Sequence, residues 1–201
     1  MSQEFEKAFL FTGVNGVGKT TLLKSICEKE PEVFHLFSGS TRFMEKLGLQ
    51  PGDYESLRRL PEDFKVKEFD DLMLETLRQK RPGVRTVLLV DAHLYNYKQG
   101  QMIEGSTNWM GGLDSIFLVS TDANSLRDRM IIDAKARDIL PSGLGKSEQV
   151  GMLTYFLDAT ERKAHEIAKQ YGIPFYVIQN SENGMETAIQ DFLRIHKEFT
   201  S

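Results

Sequence analysis

A short apolar run, Ala8–Thr12, leads straight into Gly13-Val14-Asn15-Gly16-Val17-Gly18-Lys19-Thr20, and a segment with helical periodicity, Thr20–Glu30, follows it. The pattern is G-x-x-x-x-G-K-T between a strand and a helix, and it constrains the chain more than any other feature. Gly13 permits a tight turn off the strand. Gly16 and Gly18 let backbone N–H groups reach phosphate oxygens with no side chain in the way. Lys19 brings a positive charge to the β- and γ-phosphates, and the Thr20 hydroxyl can ligate magnesium. The helix that starts there aims its N-terminal dipole at the anion. A nucleoside triphosphate, with ATP and Mg2+ as the expected pair, is therefore predicted on Gly13, Asn15, Gly16, Val17, Gly18, Lys19, Thr20 and Thr21.

The rest of the chain repeats the strand-then-helix alternation. Val33–Phe37, Thr86–Val90, Ser115–Ser120 and Phe175–Gln179 are short apolar runs that read as buried strands. Ser40–Leu47, Glu62–Lys80, Asp122–Asp138, Glu148–Tyr171 and Met185–Phe199 carry helical periodicity. In Glu62–Lys80 the stripe is Phe69, Leu72, Met73 and Leu77. The stretch between the third and fourth strands is punctuated by Gly100, Gly105, Gly111 and Gly112 and reads as a loop with at most one short helix. Five apolar strands separated by helices predict a parallel sheet covered on both faces, a three-layer α/β domain.

The 201 residues suit one domain, residues 1–201, with no linker composition inside it. A formal net charge of −4 argues against non-specific nucleic-acid binding, which needs a basic footprint. The single cysteine, Cys27, reads as a small apolar residue on a helix. No run approaches the ~20 apolar residues of a membrane span, and the start MSQEFEKAFLF lacks the basic and apolar regions of a signal peptide. A cytoplasmic protein is expected, and no feature of the sequence specifies an oligomeric state. His35, His93, His165 and His196 do not have metal-ligand spacing.

Asp91 ends the third strand, where a carboxylate beside the loop can hold magnesium together with Thr20. The wording GVNGVGKTTLLK is similar to ATP-binding cassette proteins and to signal-recognition GTPases. The first lack support because Ala92, not glutamate, follows Asp91 and no L-S-G-G-Q segment exists. The second lack an N-K-x-D or T-K-x-D segment.

Most of the chain resembles the archaeal-type adenylate kinases and related small nucleoside monophosphate kinases. Besides the phosphate loop, the likeness is carried by Phe37-Ser38-Gly39-Ser40-Thr41-Arg42, by Leu57-Arg58-Arg59-Leu60-Pro61 beside the family's M-R-K-L-P, and by Asp91-Ala92-His93 beside its D-T-H. Asn180 to Gly184 resembles a family loop near the adenine, with one extra residue. The resemblance implies a phosphate-loop NTPase fold with sheet order 2-3-1-4-5, an acceptor-binding insertion over about 38–62 and a lid over about 129–147. It implies acceptor contacts from Ser38, Gly39, Arg58 and His93, base contact from Asn180, and phosphoryl-stabilising charge from Arg129 and Arg137 beside Lys19. Two departures stand out. The position of the family's acceptor arginine is held by Tyr97, with Lys98 next to it. Ile131 and Ile132 replace a basic pair in the lid, with Lys135 and Arg137 nearby.

The activity so implied is ATP-dependent phosphorylation of a nucleoside monophosphate, AMP first. Such an acceptor is already ionised, so no general base is needed, and alignment with charge neutralisation is enough. A kinase of another small molecule and a nucleotide-gated binding protein with weak ATPase activity remain as alternatives.

Overall fold

The computed structural model describes residues 4–98, 101–132, 140–141 and 143–200. Five strands, β1 (Lys7–Thr12), β2 (Phe34–Ser38), β3 (Val87–Asp91), β6 (Ser115–Ser120) and β7 (Phe175–Gln179), form one parallel sheet in the order β2-β3-β1-β6-β7. Counted within this sheet alone, that is the expected 2-3-1-4-5. A separate antiparallel hairpin, β4 (Tyr95–Lys98) and β5 (Gln101–Glu104), interrupts the numbering. The central strands β1, β3 and β6 are buried almost throughout, while the edge strands β2 and β7 are half open. This is why the central runs read as uniformly apolar.

The strand period of two sorts residues onto two faces. Phe9, Phe11, Phe117 and Val119 face α1 (Lys19–Lys29) and α7 (Met185–Thr200). Ala8, Leu10 and Ile116 face α4 (Glu62–Leu77) and the C-terminal half of α6 (Lys146–Tyr171), which supply Met73, Leu77, Ala164, Ile167 and Ala168. On the first face Phe192 of α7 is the hub. Its ring lies 5.3 Å from Phe11, 5.3 Å from Phe34 and 5.2 Å from Phe117, all edge-on. Such tilted pairs add to the burial of large rings. Two short helices, α2 (Gly39–Lys46) and α3 (Tyr54–Arg59), follow β2, and α5 (Ala123–Ile132) follows β6. No helix among the described residues is long and apolar enough to cross a membrane.

Two sequence expectations change, and a third runs past the described residues. The glycine-punctuated loop after β3 contains the β4–β5 hairpin and a 3-10 turn at Met110–Gly112. Tyr97 pairs with Met102 across it. The hairpin is fastened to α6 by a hydrogen bond between the Tyr97 and Thr160 hydroxyls and an ion pair between Lys163 and Glu104. The six-residue α3 has no buried residue and so leaves no apolar stripe to read. Its start is set by Asp53, whose side chain accepts from the Ser56 N–H at 3.1 Å. The expected helix Asp122–Asp138 is described as far as Ile132, and residues 133–138 lie outside the described residues.

Replacing Phe192 by Ala removes the hub of the aromatic face. Equilibrium urea unfolding should show a loss of about 3–5 kcal/mol, the range for a buried Phe→Ala change, with the midpoint falling accordingly.

Candidate functional site

The C-terminal ends of β1, β2, β3 and β6 gather the predicted groups at one edge of the sheet. The chain leaves β1 at Gly13 with φ 145°, and a Cβ there would meet the Val119 carbonyl oxygen at 2.3 Å. At the other end of the loop, Gly18 has φ 90° and a Cβ would meet Asn180 Nδ2 at 2.4 Å. Only glycine fits either position. Gly18 is also the N-cap of α1 and offers no side-chain cap, so the first N–H groups of the helix have no such partner. That leaves them available to an anion.

Lys19 is 5% exposed and folds back onto the loop. Its Nζ donates to the Gly13 carbonyl at 2.9 Å and lies 3.4 Å from the Val14 carbonyl. Burial pushes its pKa down to about 8, against the pull of the Asp91 carboxylate. Thr20 Oγ1 donates to Asp91 Oδ2 at 2.7 Å, a pairing carried by the β1–β3 register, in which Phe11 lies opposite Asp91. A hydroxyl and a carboxylate side by side suit a hard cation such as magnesium, which takes one or two carboxylates and completes its shell with phosphate oxygens and water. Among the described residues no group of three or more His, Cys, Asp or Glu could hold a metal by itself. A cation here would therefore depend on the nucleotide for further ligands. Thr21 is exposed on the first turn of α1, while Asn15 Oδ1 is buried with no hydrogen-bond partner.

Arg129, on α5, reaches three carbonyls. NH2 donates to Asn180 at 2.8 Å and to Ser181 at 3.0 Å, and NH1 to Val17 at 3.3 Å. Asn180 Nδ2 also donates to the Val17 carbonyl at 2.7 Å. The loop after β7 and the phosphate loop are thus tied together by Arg129 and Asn180. Arg137 lies outside the described residues.

Of the residues expected to meet an acceptor, Ser38 pairs in register with Asp91, and Gly39 packs so closely that a Cβ would sit 3.0 Å from the Asp91 carbonyl and 3.3 Å from the Phe69 ring. Ser38 Oγ and Thr41 Oγ1 are 3.0 Å apart. Arg58 is exposed in the last turn of α3. His93 turns Nδ1 toward the donor side, 3.1 Å from the Gly13 carbonyl and 3.4 Å from Lys19 Nζ. The residue is exposed to solvent as a whole, although protein surrounds its titrating nitrogens. That crowding, and then the Lys19 charge, hold its pKa well below the usual histidine range, so the ring is neutral.

Tyr97 is buried at 7% exposure, its ring 4.8 Å from Phe156, and burial raises its pKa to about 12. It belongs to the core, which removes it as a substitute for an acceptor arginine. Asp70 is a residue the sequence reading passed over. It is 9% exposed, and its Oδ2 accepts from Ser106 Oγ at 2.7 Å and Asn108 Nδ2 at 3.0 Å. Those bonds anchor the segment whose Gly105 N–H donates to the Leu94 carbonyl at 2.8 Å, next to His93. The available signal was a carboxylate at helical spacing from Met73 and Leu77, on a face otherwise apolar.

A family model described as an AAA domain matches residues 12–140, a span that includes the phosphate loop, Asp91 and Arg129. Solved structures of similar fold include a shikimate kinase from Bacteroides thetaiotaomicron, with 16% identity over 95% of this chain and 98% of that one at a TM-score of 0.61. A shikimate kinase from Acinetobacter baumannii in complex with shikimate has 16% identity over 97% and 95%, at 0.55. A sugar kinase from Janibacter sp. has 15% identity over 94% of each chain, at 0.51. No curated protein matches the sequence. What the chain shares with these structures is the fold, and none of the three is an adenylate kinase.

The lowered Lys19 pKa sets a pH dependence. A bound triphosphate favours the ammonium form, so binding above about pH 8 must take up a proton. Calorimetric titration of a non-hydrolysable ATP analogue with Mg2+ should show affinity falling roughly tenfold per pH unit above that point. Lys19→Arg, which stays charged, should bind with a flat profile. An affinity for the native chain that does not change between about pH 7.5 and 9.5 would contradict this reading of Lys19.

Proposed function

This chain belongs to the AAA domain family matched over residues 12–140, and from that premise we propose that it transfers the γ-phosphoryl group of ATP to a small acceptor. The observation that carries the reading is the convergence on one glycine loop of Lys19, of the Thr20–Asp91 pair and of Arg129. In this reading Lys19 leaves the Gly13 carbonyl for the phosphates. Thr20 and Asp91 would hold Mg2+, which would supply charge neutralisation at the phosphates. Arg129 places a guanidinium beside the loop, and Asn180 lies at the base end. Residues about 38–62 form the acceptor insertion, and about 129–147 the lid that excludes water. Dependence on ATP suits a cytoplasmic setting.

The narrower proposal is a nucleoside monophosphate as acceptor, AMP first, met by Ser38, Gly39 and Arg58. It is supported by the order and spacing of the segments around Gly39, Arg58 and His93. A second reading, a hydroxyl-bearing small molecule as acceptor, is favoured by Tyr97 lying in the core where the resembled family keeps an acceptor arginine. It would also suit the shikimate and sugar kinases of similar fold.

ADP release should be followed with ATP alone and then with each nucleoside monophosphate, shikimate-like acids and sugars, identifying the phosphorylated product. AMP is expected to raise ADP formation well above the acceptor-free rate. Turnover with a hydroxyl acceptor alone would select the second reading, and no acceptor dependence across the panel would remove both. With the active acceptor, Arg129→Ala should lower kcat by about 10²–10³-fold, the size of losing one charge-stabilising donor.

A further inference from the structure

The Gly13 carbonyl is approached by two donors at once. Lys19 Nζ stands 2.9 Å from it and His93 Nδ1 3.1 Å, while the two nitrogens are 3.4 Å apart. A lysine ammonium has donors only. A lone pair on Nδ1 would face the lone pairs of the carbonyl oxygen, so Nδ1 carries the hydrogen and donates. The approach of Lys19 to His93 is therefore a contact between two donors that share one acceptor, and it favours neither.

Lys19 cannot stay on this carbonyl while it also neutralises the β- and γ-phosphates. Its second partner, the Val14 carbonyl, also accepts from the Val17 N–H at 3.4 Å. The Gly13 carbonyl, on a buried residue, has no partner besides Lys19 and His93 among the described residues. Without His93 it would be stranded when the lysine departs. A buried acceptor left unpaired weakens the state that contains it by about 10- to 100-fold in an equilibrium constant.

We propose that His93 is a positioning residue for nucleotide capture: it keeps the Gly13 carbonyl hydrogen-bonded as Lys19 moves to the triphosphate, and so keeps the lysine easy to release. It acts through the loop and touches no phosphate. The proposal rests on the triphosphate-binding half of the function above and on no particular acceptor.

The test measures binding of the Mg2+ complex of a non-hydrolysable ATP analogue to the full chain by calorimetry, with thermal melts to verify folding. His93→Ala should bind about 10- to 100-fold more weakly. His93→Asn, whose amide nitrogen can sit near the Nδ1 position, should stay within about threefold of the native chain, and His93→Gln, with its donor displaced, should not. In a Lys19→Ala background the handover no longer exists, so adding His93→Ala should change the affinity by less than about twofold. Native affinity in His93→Ala, or equal losses with Asn, Gln and Ala, would overturn the proposal. So would the same loss in both Lys19 backgrounds. Should the acceptor panel show no kinase turnover, these binding ratios would still decide the role of His93. A native chain that binds no triphosphate would remove both readings together.

Discussion

β1 can pass into the phosphate loop only because residue 13 has no side chain. The loop turns directly over the neighbouring strand β6, so close to Val119 that a Cβ at Gly13 would overlap its carbonyl. Gly18 repeats the constraint against Asn180 at the far end. Between these two contacts the loop has little freedom. Its backbone N–H groups and the start of α1 are therefore held by the packing of β1, β6 and the loop after β7. The backbone of the loop is preorganised before any ligand arrives, as the proposed phosphoryl transfer would require.

How much of this could be read from the chain alone follows from the range of each interaction. The phosphate loop and the apolar strands were legible because their signals are local: a spaced glycine pattern and runs of Val, Leu, Ile and Phe. Asp91 was legible because it ends such a run. The hairpin was overlooked because Gly100 and Gly105 outweighed the two-residue alternation of Tyr95 to Lys98 and Gln101 to Glu104. Its stability comes from Thr160 and Lys163, far along the chain. Arg129, Val17 and Asn180 were each legible as site residues, but the bonds from Arg129 to the carbonyls of Val17, Asn180 and Ser181 were not, since main-chain carbonyls have no sequence signature. His93 was expected on the acceptor side, and nothing in its neighbours revealed that Nδ1 would turn to Gly13.

The two halves of the site differ in how they are built. The donor half rests on backbone geometry and a few charges fixed by the central strands. The proposed acceptor half rests on Ser38 and Gly39 at the end of an edge strand, on an exposed α3 and on the segment beside His93 that Asp70 anchors. Tyr97, tied to Thr160 and packed at a tilt against Phe156, lies in the core. A shikimate kinase and a sugar kinase share this architecture at 15–16% identity, so the fold alone does not choose an acceptor.

The pairing of Ser38 with Asp91 across β2 and β3 has a geometric consequence. The last residue of the acceptor-side strand and the carboxylate proposed for the cation stand at the same level of one sheet, joined by the ladder that holds the strands together. Any movement that brings an acceptor toward the triphosphate must pivot beyond Ser38, in α2, α3 or their connections, because the ladder itself does not slide. The starting point of the proposed acceptor arm is thus indexed to the proposed cation site like two marks on one ruler. A register shift of a single residue would misalign both marks together and turn the buried side of β2 outward.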